Sequence, residues 1–251
     1  MILLADIGNT RMKWSLWEDG VHTRTGAVAH EPTLFALNLD AQWRGIAAPE
    51  RVLVSNVVGT KIADVLYDWV QKRWQLHTEF ARAQKTGHGV TNSYVRHDRL
   101  GVDRWLAMIA ARRIITDTAV CVVDCGTAIT ADVFDATGQH RGGLIAPGLT
   151  AMCSALTRDT AGIGATPHDA SVPEVWLATD TQSGVLAGTR LAAAAFVDRV
   201  ITDAQRQLNA PISGVITGGD AAALLPLMRT SYRHEPYLVL DGLAVFAGSA
   251  S

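Results

Sequence analysis

The chain has 251 residues, of which 48% are hydrophobic and 18% are charged, and its 22 basic and 24 acidic side chains leave a net charge of −2. It is too apolar and too evenly charged for a disordered chain, and it lacks the basic excess of a dedicated nucleic-acid binder. No apolar run approaches the roughly 18 residues of a membrane helix. We therefore expect neither a nucleic-acid partner nor a membrane partner. The length allows one large domain or two medium ones.

The apolar N-terminus and the cysteines indicate the compartment. The N-terminal run is interrupted by Asp6 and has no basic segment before it, so it predicts a strand rather than a secretory signal. The chain has three cysteines. Cys121 and Cys125 would share one side of a strand, and no second pair or nearby histidine completes a metal site with them. A reducing cytoplasm is the simplest setting for such a chain.

Strand and helix patterns alternate along the chain. In the first half, strands are predicted over residues 1–6, 11–17, 21–29 and 51–57, and helices over 61–74 and 103–115. Residues 81–100 are polar and are interrupted by Gly87 and Gly89, which predicts a long functional loop. In the second half, strands are predicted over 120–124, 128–134, 144–146 and 215–217, and helices over 148–156, over 181–208 and from residue 220 onward.

Two acidic turns repeat at an offset of 118 residues, which is 124 − 6. The first is DIGNT from Asp6 and the second is DCGT from Asp124. Gly20 follows Asp6 by 14 positions, and Gly138 follows Asp124 by the same number. The repeat predicts two duplicated half-domains, over residues 1–116 and 117–251. A chance match of two short turns is the alternative.

The residue types in these turns are suited to phosphate binding. Glycine turns aim several backbone amides at one point and can hold an anion, and Lys13 could reach a phosphate. A carboxylate beside a polyphosphate is repulsive unless a cation lies between them. The turns therefore predict that Asp6 and Asp124 face cations. Ordinary hairpins in which aspartate stabilises the turn are the alternative.

A further carboxylate lies where the polar loop enters the next helix. In the run Gly101-Val102-Asp103-Arg104, the aspartate could accept a proton from a substrate hydroxyl, and the arginine could bind a carboxylate or phosphate. Helix capping is the alternative for this aspartate. The glycine pairs at 142–143 and 218–219 would admit a flat group such as a purine, or would serve close packing. The sequence contains neither a Walker A motif nor the protein-kinase motifs.

Together these segments resemble type III pantothenate kinase, the family that also includes the Bvg accessory factor proteins. The matching segments are DIGNTRMK from Asp6, GVDR from Gly101, DCGTAITAD from Asp124, GGLIAPG from Gly142, TQSGVLAG from Thr181 and TGGDAAAL from Thr217. They follow one another in order and cover most of the chain. The resemblance implies an α/β fold of two duplicated half-domains that are actin-like and ribonuclease H-like, as in the superfamily of sugar kinases, Hsp70 and actin.

The resemblance also implies an activity. It is the ATP-dependent phosphorylation of pantothenate to 4′-phosphopantothenate, the first step of coenzyme A biosynthesis, by in-line phosphoryl transfer with an aspartate as general base. It further implies Mg²⁺, a monovalent cation such as K⁺ or NH₄⁺, and a homodimer whose active sites lie near the subunit interface.

Site residues follow from the matched positions. The ATP phosphates would be lined by Asp6, Ile7, Gly8, Asn9, Thr10, Arg11, Met12 and Lys13, and ATP would also contact Gly126 and Thr127. Asp103 matches the catalytic base, Asp124 matches the monovalent-cation ligand, and Asp6 would lie near Mg²⁺. Pantothenate would contact Tyr94, Gly101, Val102, Arg104 and Thr181. The sequence departs from the family pattern at His97, where many members have proline, and at Gly184, where many have a larger residue.

Other functions are compatible with the same motifs. One is a kinase for another small hydroxyl substrate on the same fold, and another is a non-catalytic ATP-binding regulatory accessory protein. Asp103 argues against a pure binder, because such a protein needs no base beside an acceptor. An actin-like filament former is a third alternative, for which the chain is short.

Overall fold

The structure is a computed structural model, and it describes residues 1–29, 31, 34–160, 162–165 and 177–248. The chain divides into two compact units. Met1–Ile114 and the segment that begins at Tyr237 form the first, and Ile115–Pro236 form the second. The sequence-based division places the boundary two residues later and keeps the C-terminal segment with the second half. In the described ranges, no helix combines the length and the apolar character needed to cross a membrane.

Strands and helices follow one another along both units. In chain order they are β1 (Ile2–Ile7), β2 (Arg11–Glu18), β3 (Val21–Ala29), α1 (Phe35–Trp43), β4 (Arg51–Asn56), α2 (Thr60–Trp74), β5 (Thr78–Phe80), β6 (Thr86–Gly87), β7 (Val90–Thr91), α3 (Val102–Ile114), β8 (Ala119–Cys125), β9 (Ala128–Phe134), β10 (His140–Pro147), α4 (Leu149–Asp159), α5 (Thr181–Leu208), β11 (Ile212–Thr217), α6 (Ala221–Leu224), β12 (Tyr232–His234) and α7 (Leu238–Phe246).

The first unit is a five-stranded sheet in the order β3-β2-β1-β4-β5. β1 runs antiparallel to β2 and parallel to β4. Leu3, Ala5 and Ile7 alternate along β1 and are fully buried with the apolar side chains of α1 and α2 on one face of the sheet. Alternation of this kind places every second side chain on the same face. The residues between them, which include Asp6, therefore lie on the opposite face.

Helices α3 and α7 cover that opposite face. α7 contacts β1, β2 and β4, and it packs along α3. At Gly242 of α7, an added Cβ would lie 2.2 Å from the carbonyl oxygen of Leu106, so the two helix backbones approach as closely as glycine allows. This contact explains why the C-terminal segment groups with the first unit.

The second unit repeats this arrangement with a sheet in the order β10-β9-β8-β11-β12. β8 runs antiparallel to β9 and parallel to β11, as β1 does to β2 and β4. The turns after β2 and β9 place Gly20 and Gly138 at φ values of 83° and 84°, a conformation that favours glycine. These correspondences confirm the predicted duplication.

Each sheet also contains a histidine that lies within hydrogen-bond distance of a buried polar side chain. In the first unit, Ser15 Oγ lies 2.6 Å from His22 Nδ1, and His22 Nε2 lies 2.8 Å from an oxygen of Asp241 on α7. In the second unit, His140 Nε2 lies 3.0 Å from an oxygen of Asp132. Ser15 and Asp132 are each two residues beyond the position that faces the acidic turn's aspartate, so the pairs occupy equivalent places in the two sheets. The contact between His22 on β3 and Asp241 on α7 helps to attach α7 to the sheet.

Candidate functional site

The first acidic turn connects the carboxyl end of β1 to the start of β2. Asp6 is half-buried, and the backbone register places it opposite Lys13 on β2 and opposite Ser55 on β4. The N–H of Gly8 donates to the carbonyl oxygen of Arg11 at 3.2 Å and closes the turn. Ligands of open α/β sheets commonly bind beyond the carboxyl ends of the strands. The turn is therefore in a position suited to ligand binding.

The eight residues predicted to line the ATP phosphates differ in burial. Asn9, Thr10 and Arg11 are exposed, whereas the side chains of Ile7 and Met12 are fully buried in the core. Those two residues can therefore reach a ligand only through their backbone atoms. The side chains that the turn presents to solvent are polar.

The second acidic turn connects β8 to β9 and is one residue shorter than the first. Asp124 lies opposite Thr130 on β9 and Thr217 on β11. The N–H of Gly126 donates to the carbonyl oxygen of Ala128 at 3.1 Å. A Cβ at Gly126 would lie 3.6 Å from a carboxylate oxygen of Asp124, which is an ordinary van der Waals contact, so Gly126 is directly beside that carboxylate.

Two other glycines allow neighbouring backbone segments to pack on the second turn. The N–H of Gly148, at the start of α4, donates to the carbonyl oxygen of Thr127 at 3.1 Å. A Cβ at Gly148 would lie 2.1 Å from the carbonyl oxygen of Gly126, and one at Gly218 would lie 2.3 Å from that of Cys125. Three chain segments therefore meet at this turn with no room for a side chain between them.

A second carboxylate lies beside this turn. The N–H of Asp220 donates to the carbonyl oxygen of Cys125 at 3.0 Å. Burial, together with the nearby charges of Asp124 and Asp220, raises the pKa of the Cys125 thiol to about 12. A Cβ at Gly219 would meet nothing within 4 Å. Sequence reasoning assigned no role to Asp220, although it lies in a segment that matches the family.

Asp103 lies in the first turn of α3. The helix begins at Val102, so Asp103 is inside the helix rather than the residue that caps it. Its Oδ1 accepts the backbone N–H of Arg104 at 2.7 Å. A Cβ at Gly101 would lie 2.6 Å from the same oxygen, so glycine at that position makes room for the carboxylate.

Arg104 and Tyr94, both predicted to contact the acceptor, are in contact with each other. Arg104 is 7% exposed, and its guanidinium donates to the Tyr94 hydroxyl at 3.0 Å. Its Cζ lies 5.8 Å from the centre of the tyrosine ring, within the range of a cation–π interaction. The structure therefore brings Tyr94, Gly101, Asp103 and Arg104 together around the start of α3.

The polar loop before α3 is more ordered than its sequence predicts. It contains the β6–β7 hairpin and a short 3₁₀ turn at His97–Arg99. Asn92 is fully buried within it and accepts the backbone N–H of Tyr94 through its side chain. Sequence reasoning missed Asn92, because a single asparagine in a polar stretch carries no periodic signal.

Thr181 belongs to the second unit and is the first residue of α5. Asp180 caps this helix, since its side chain accepts the backbone N–H of Ser183 at 2.9 Å. That bond lowers the pKa of the Asp180 carboxyl below its usual value. Thr181 is exposed, and it is in the second unit, whereas the residues around α3 are in the first.

The oxygen atoms near the acidic turns are suited to cations whose coordination shells are completed by ligands from outside the protein. Among the described residues, no three histidine, cysteine, aspartate or glutamate side chains lie close enough to hold a metal by themselves. Mg²⁺ characteristically takes one or two carboxylates and fills its shell with phosphate oxygens and water. Next to Asp6, the fully buried hydroxyl of Ser55 has no hydrogen-bond partner in the described part of the chain, which leaves one further polar group at that position.

Comparisons with known proteins identify relatives of this chain. The profile of the type III pantothenate kinase family matches residues 2–203. A type III pantothenate kinase from Nitrosococcus oceani is 43% identical over an alignment that covers 100% of this chain and 95% of that protein.

Solved structures define the fold. The activator of 2-hydroxyisocaproyl-CoA dehydratase from Clostridium difficile, with bound ADPNP, superposes with a TM-score of 0.55 at 13% identity and covers 98% of this chain and 93% of its own. A protein from Sinorhizobium meliloti named as a 2-dehydro-3-deoxygalactonokinase has a TM-score of 0.57 at 13% identity and covers 98% of both chains. The fold is thus the duplicated α/β fold of actin-like ATPases and sugar kinases. Because the family profile matches most of the chain and the Nitrosococcus protein matches all of it, this chain belongs to the type III pantothenate kinase family.

Proposed function

We propose that this protein transfers the γ-phosphoryl group of ATP to the hydroxyl of pantothenate, which yields 4′-phosphopantothenate and ADP in the first step of coenzyme A biosynthesis. Membership of the family supports the substrate and the product. The arrangement that carries the proposal is the carboxylate of Asp103, held at the start of α3 beside Arg104 and Tyr94. A protein that only binds ATP has no need of this group.

The two acidic turns bind the nucleotide in this proposal. The turn from Asp6 to Lys13 holds the phosphates through backbone amides, neutral side chains and the Lys13 ammonium. Gly126 and Thr127 add contacts, and Gly148 and Gly218 fix the backbone that carries them. Asp6 is the protein group near Mg²⁺, and Asp124 is a ligand of K⁺ or NH₄⁺. Mg²⁺ supplies neutralisation of the charge on the phosphate oxygens.

The side chains around α3 bind the acceptor and move its proton. Tyr94, Gly101, Val102 and Arg104 position pantothenate, and Arg104 is suited to its carboxylate. As the pantothenate hydroxyl oxygen attacks the γ-phosphorus in line, its proton passes to the carboxylate of Asp103, and ADP leaves with the electrons of the bond that breaks. Positioning and charge neutralisation provide most of the rate enhancement in such reactions.

The remaining parts of the proposal concern assembly and setting. We expect a homodimer, in which Thr181 also contacts pantothenate, and sedimentation equilibrium of the purified protein measures its mass. We expect a reducing cytoplasm as the setting. This agrees with the three cysteines, all of which lie in the described ranges as free, buried thiols.

A direct assay tests the function. Purified protein with ATP, Mg²⁺ and K⁺ is given pantothenate or a panel of sugars and short hydroxy acids, and phosphorylated products are identified by mass spectrometry. The proposal expects 4′-phosphopantothenate as the main product. Phosphorylation of a different acceptor would make the protein a kinase for that substrate, and ATP binding with no transfer to any acceptor would favour a regulatory accessory protein.

A further inference from the structure

Asn92 is fully buried, although it lies in the polar stretch between β5 and α3. Its amide nitrogen donates to the carbonyl oxygens of Gln84 and His97, both at 3.2 Å, and its amide oxygen accepts the backbone N–H of Tyr94 at 2.9 Å. Its backbone N–H and carbonyl oxygen both bond to Lys85, at 2.9 Å each. Every donor of Asn92 is therefore used.

These bonds hold the loop on both sides of Tyr94. Gln84 and Lys85 precede the tyrosine, and His97 follows it, so one buried side chain fixes the loop before and after it. Only a primary amide offers two donors and an acceptor on a side chain this short. The pattern of bonds thus requires asparagine in particular rather than any small polar residue.

A chain of contacts links Asn92 to the start of α3. Asn92 holds the backbone of Tyr94, the Tyr94 hydroxyl accepts from the Arg104 guanidinium at 3.0 Å, and Arg104 follows Asp103 in sequence. Arg104 is buried, so its guanidinium depends on protein partners rather than on water. If the loop moves, the buried guanidinium loses its bond to the tyrosine.

The first acidic turn does not depend on these bonds. It is closed by its own bond from Gly8 to Arg11 and is anchored by the buried side chains of Ile7 and Met12. Removal of the Asn92 side chain should therefore disturb the residues around Tyr94 and leave the β1–β2 turn in place.

We propose that Asn92 is a positioning residue for the acceptor, which holds Tyr94 against Arg104 so that the acceptor-contacting side chains are in place before the substrate binds. This inference rests on the proposed function, because Tyr94 and Arg104 are the groups that are expected to contact pantothenate. Asn92 itself does not contact the reacting atoms.

The kinetic test compares two asparagine-to-alanine variants. Asn92→Ala removes the three side-chain bonds. Asn38→Ala on α1 is the matched control, because Asn38 also donates to a backbone carbonyl, that of Ala29 at 3.3 Å. We expect Asn92→Ala to raise the KM for pantothenate at least tenfold and to change the KM for ATP less than twofold, and we expect the control to change neither. An unchanged KM for pantothenate, or an equal rise in both constants, would overturn the proposal.

Hydrogen exchange tests the positioning without any turnover. In the substrate-free proteins, the backbone amide of Tyr94 should exchange at least tenfold faster in Asn92→Ala than in the wild type, whereas the amide of Ala5 in β1 should not change. Equal exchange of the Tyr94 amide in both proteins would overturn the proposal. If the wild type phosphorylated some other acceptor, the proposed function would fail, and this measurement would still decide whether Asn92 holds the loop.

A wild-type measurement covers the case in which Asn92→Ala does not fold. Pantothenate at saturating concentration should slow exchange of the Tyr94 and Asn92 amides, because substrate bound against Tyr94 stabilises the loop conformation that the Asn92 side chain holds by its hydrogen bonds. It should leave the Gly8 amide unaffected. Exchange of the Tyr94 amide that pantothenate does not slow would contradict the inference.

Discussion

Asp103 is the proposed general base of the phosphoryl transfer, so it gives the most direct test of the mechanism. The change Asp103→Asn keeps an oxygen that can accept the Arg104 N–H but removes the proton acceptor. We expect kcat to fall by about 10²–10⁴-fold, the usual contribution of a positioned base. The dissociation constant for ATP, measured by calorimetry, should change little.

The position of Asp103 in the helix sets the control for this experiment. Because Asp103 lies in the first turn of α3, its charge also interacts favourably with the helix dipole, and its loss should cost about 0.3–1 kcal/mol of stability. Urea unfolding of the variant measures this cost. If kcat remained within twofold of the wild-type value, Asp103 would not be the base.

Asp124 leads to a prediction about salt identity. If its carboxylate holds K⁺, replacement of K⁺ by Na⁺ at constant ionic strength should lower the initial rate of the wild type, because the smaller ion fits a different ligand geometry. Asp124→Asn should reduce the difference between the two salts. Initial rates in matched chloride solutions provide the measurement, and equal wild-type rates in both salts would assign Asp124 another role.

At the scale of elements, a change at Gly242 should disturb both α3 and α7, because the backbones of the two helices are in contact there. Gly242→Ala places a methyl group 2.2 Å from the carbonyl oxygen of Leu106, and the helices must separate to admit it. Overpacking of this kind costs about 1–3 kcal/mol. The urea midpoint of Gly242→Ala should therefore fall, and turnover should fall with it because α3 carries Asp103.

Gly188→Ala on α5 is the control for that prediction. A Cβ at Gly188 would meet nothing within 4 Å, so the substitution only replaces a poor helix former. It should raise stability by about 0.5–1 kcal/mol. If Gly242→Ala unfolded at the same urea concentration as the wild type, the prediction would be wrong, because the helices could then separate without a loss of stability.

Helices and strands could be predicted from the sequence where several local signals agree. The helix predicted over residues 181–208 is observed as Thr181–Leu208, since Asp180 caps its start and Asn209 ends it in the left-handed conformation. The strand predicted over 128–134 is also confirmed. The interior of the loop over 81–100 did not follow, because it is held by the bonds of Asn92 to residues on either side, which leave no periodic pattern.

At the scale of the whole molecule, the duplication could be recognised from two acidic turns, but the division of the chain could not. Helix α7 was not predicted at all, and its grouping with the first unit depends on the contact of Gly242 with a residue 136 positions earlier, which is 242 − 106. The same limit applies to the site. Asp6 and Asp124 stand out by their spacing, whereas the backbone bond that holds Asp220 beside the second turn, from its N–H to the carbonyl oxygen of Cys125, leaves no sequence pattern.

The three thiols report on opening of the second unit, to which all of them belong. They are buried, and burial raises the pKa values of Cys121 and Cys125 to about 12. At pH 8 only about one such thiol in 10⁴ is a thiolate, which is the reactive form. We therefore expect no rapid reaction of the native protein with a thiol reagent, and reaction of all three cysteines in denaturant.

Nucleotide should slow this reaction further. Cys125 is followed directly by the turn that is proposed to contact ATP, so a bound nucleotide favours the closed state in which the thiol is inaccessible. Where labelling requires opening, ATP with Mg²⁺ at 100 times its dissociation constant should slow it about 100-fold. Mass spectrometry of labelled peptides follows each cysteine separately. Labelling of Cys125 at the same rate with and without saturating ATP would mean that the nucleotide does not bind at this turn.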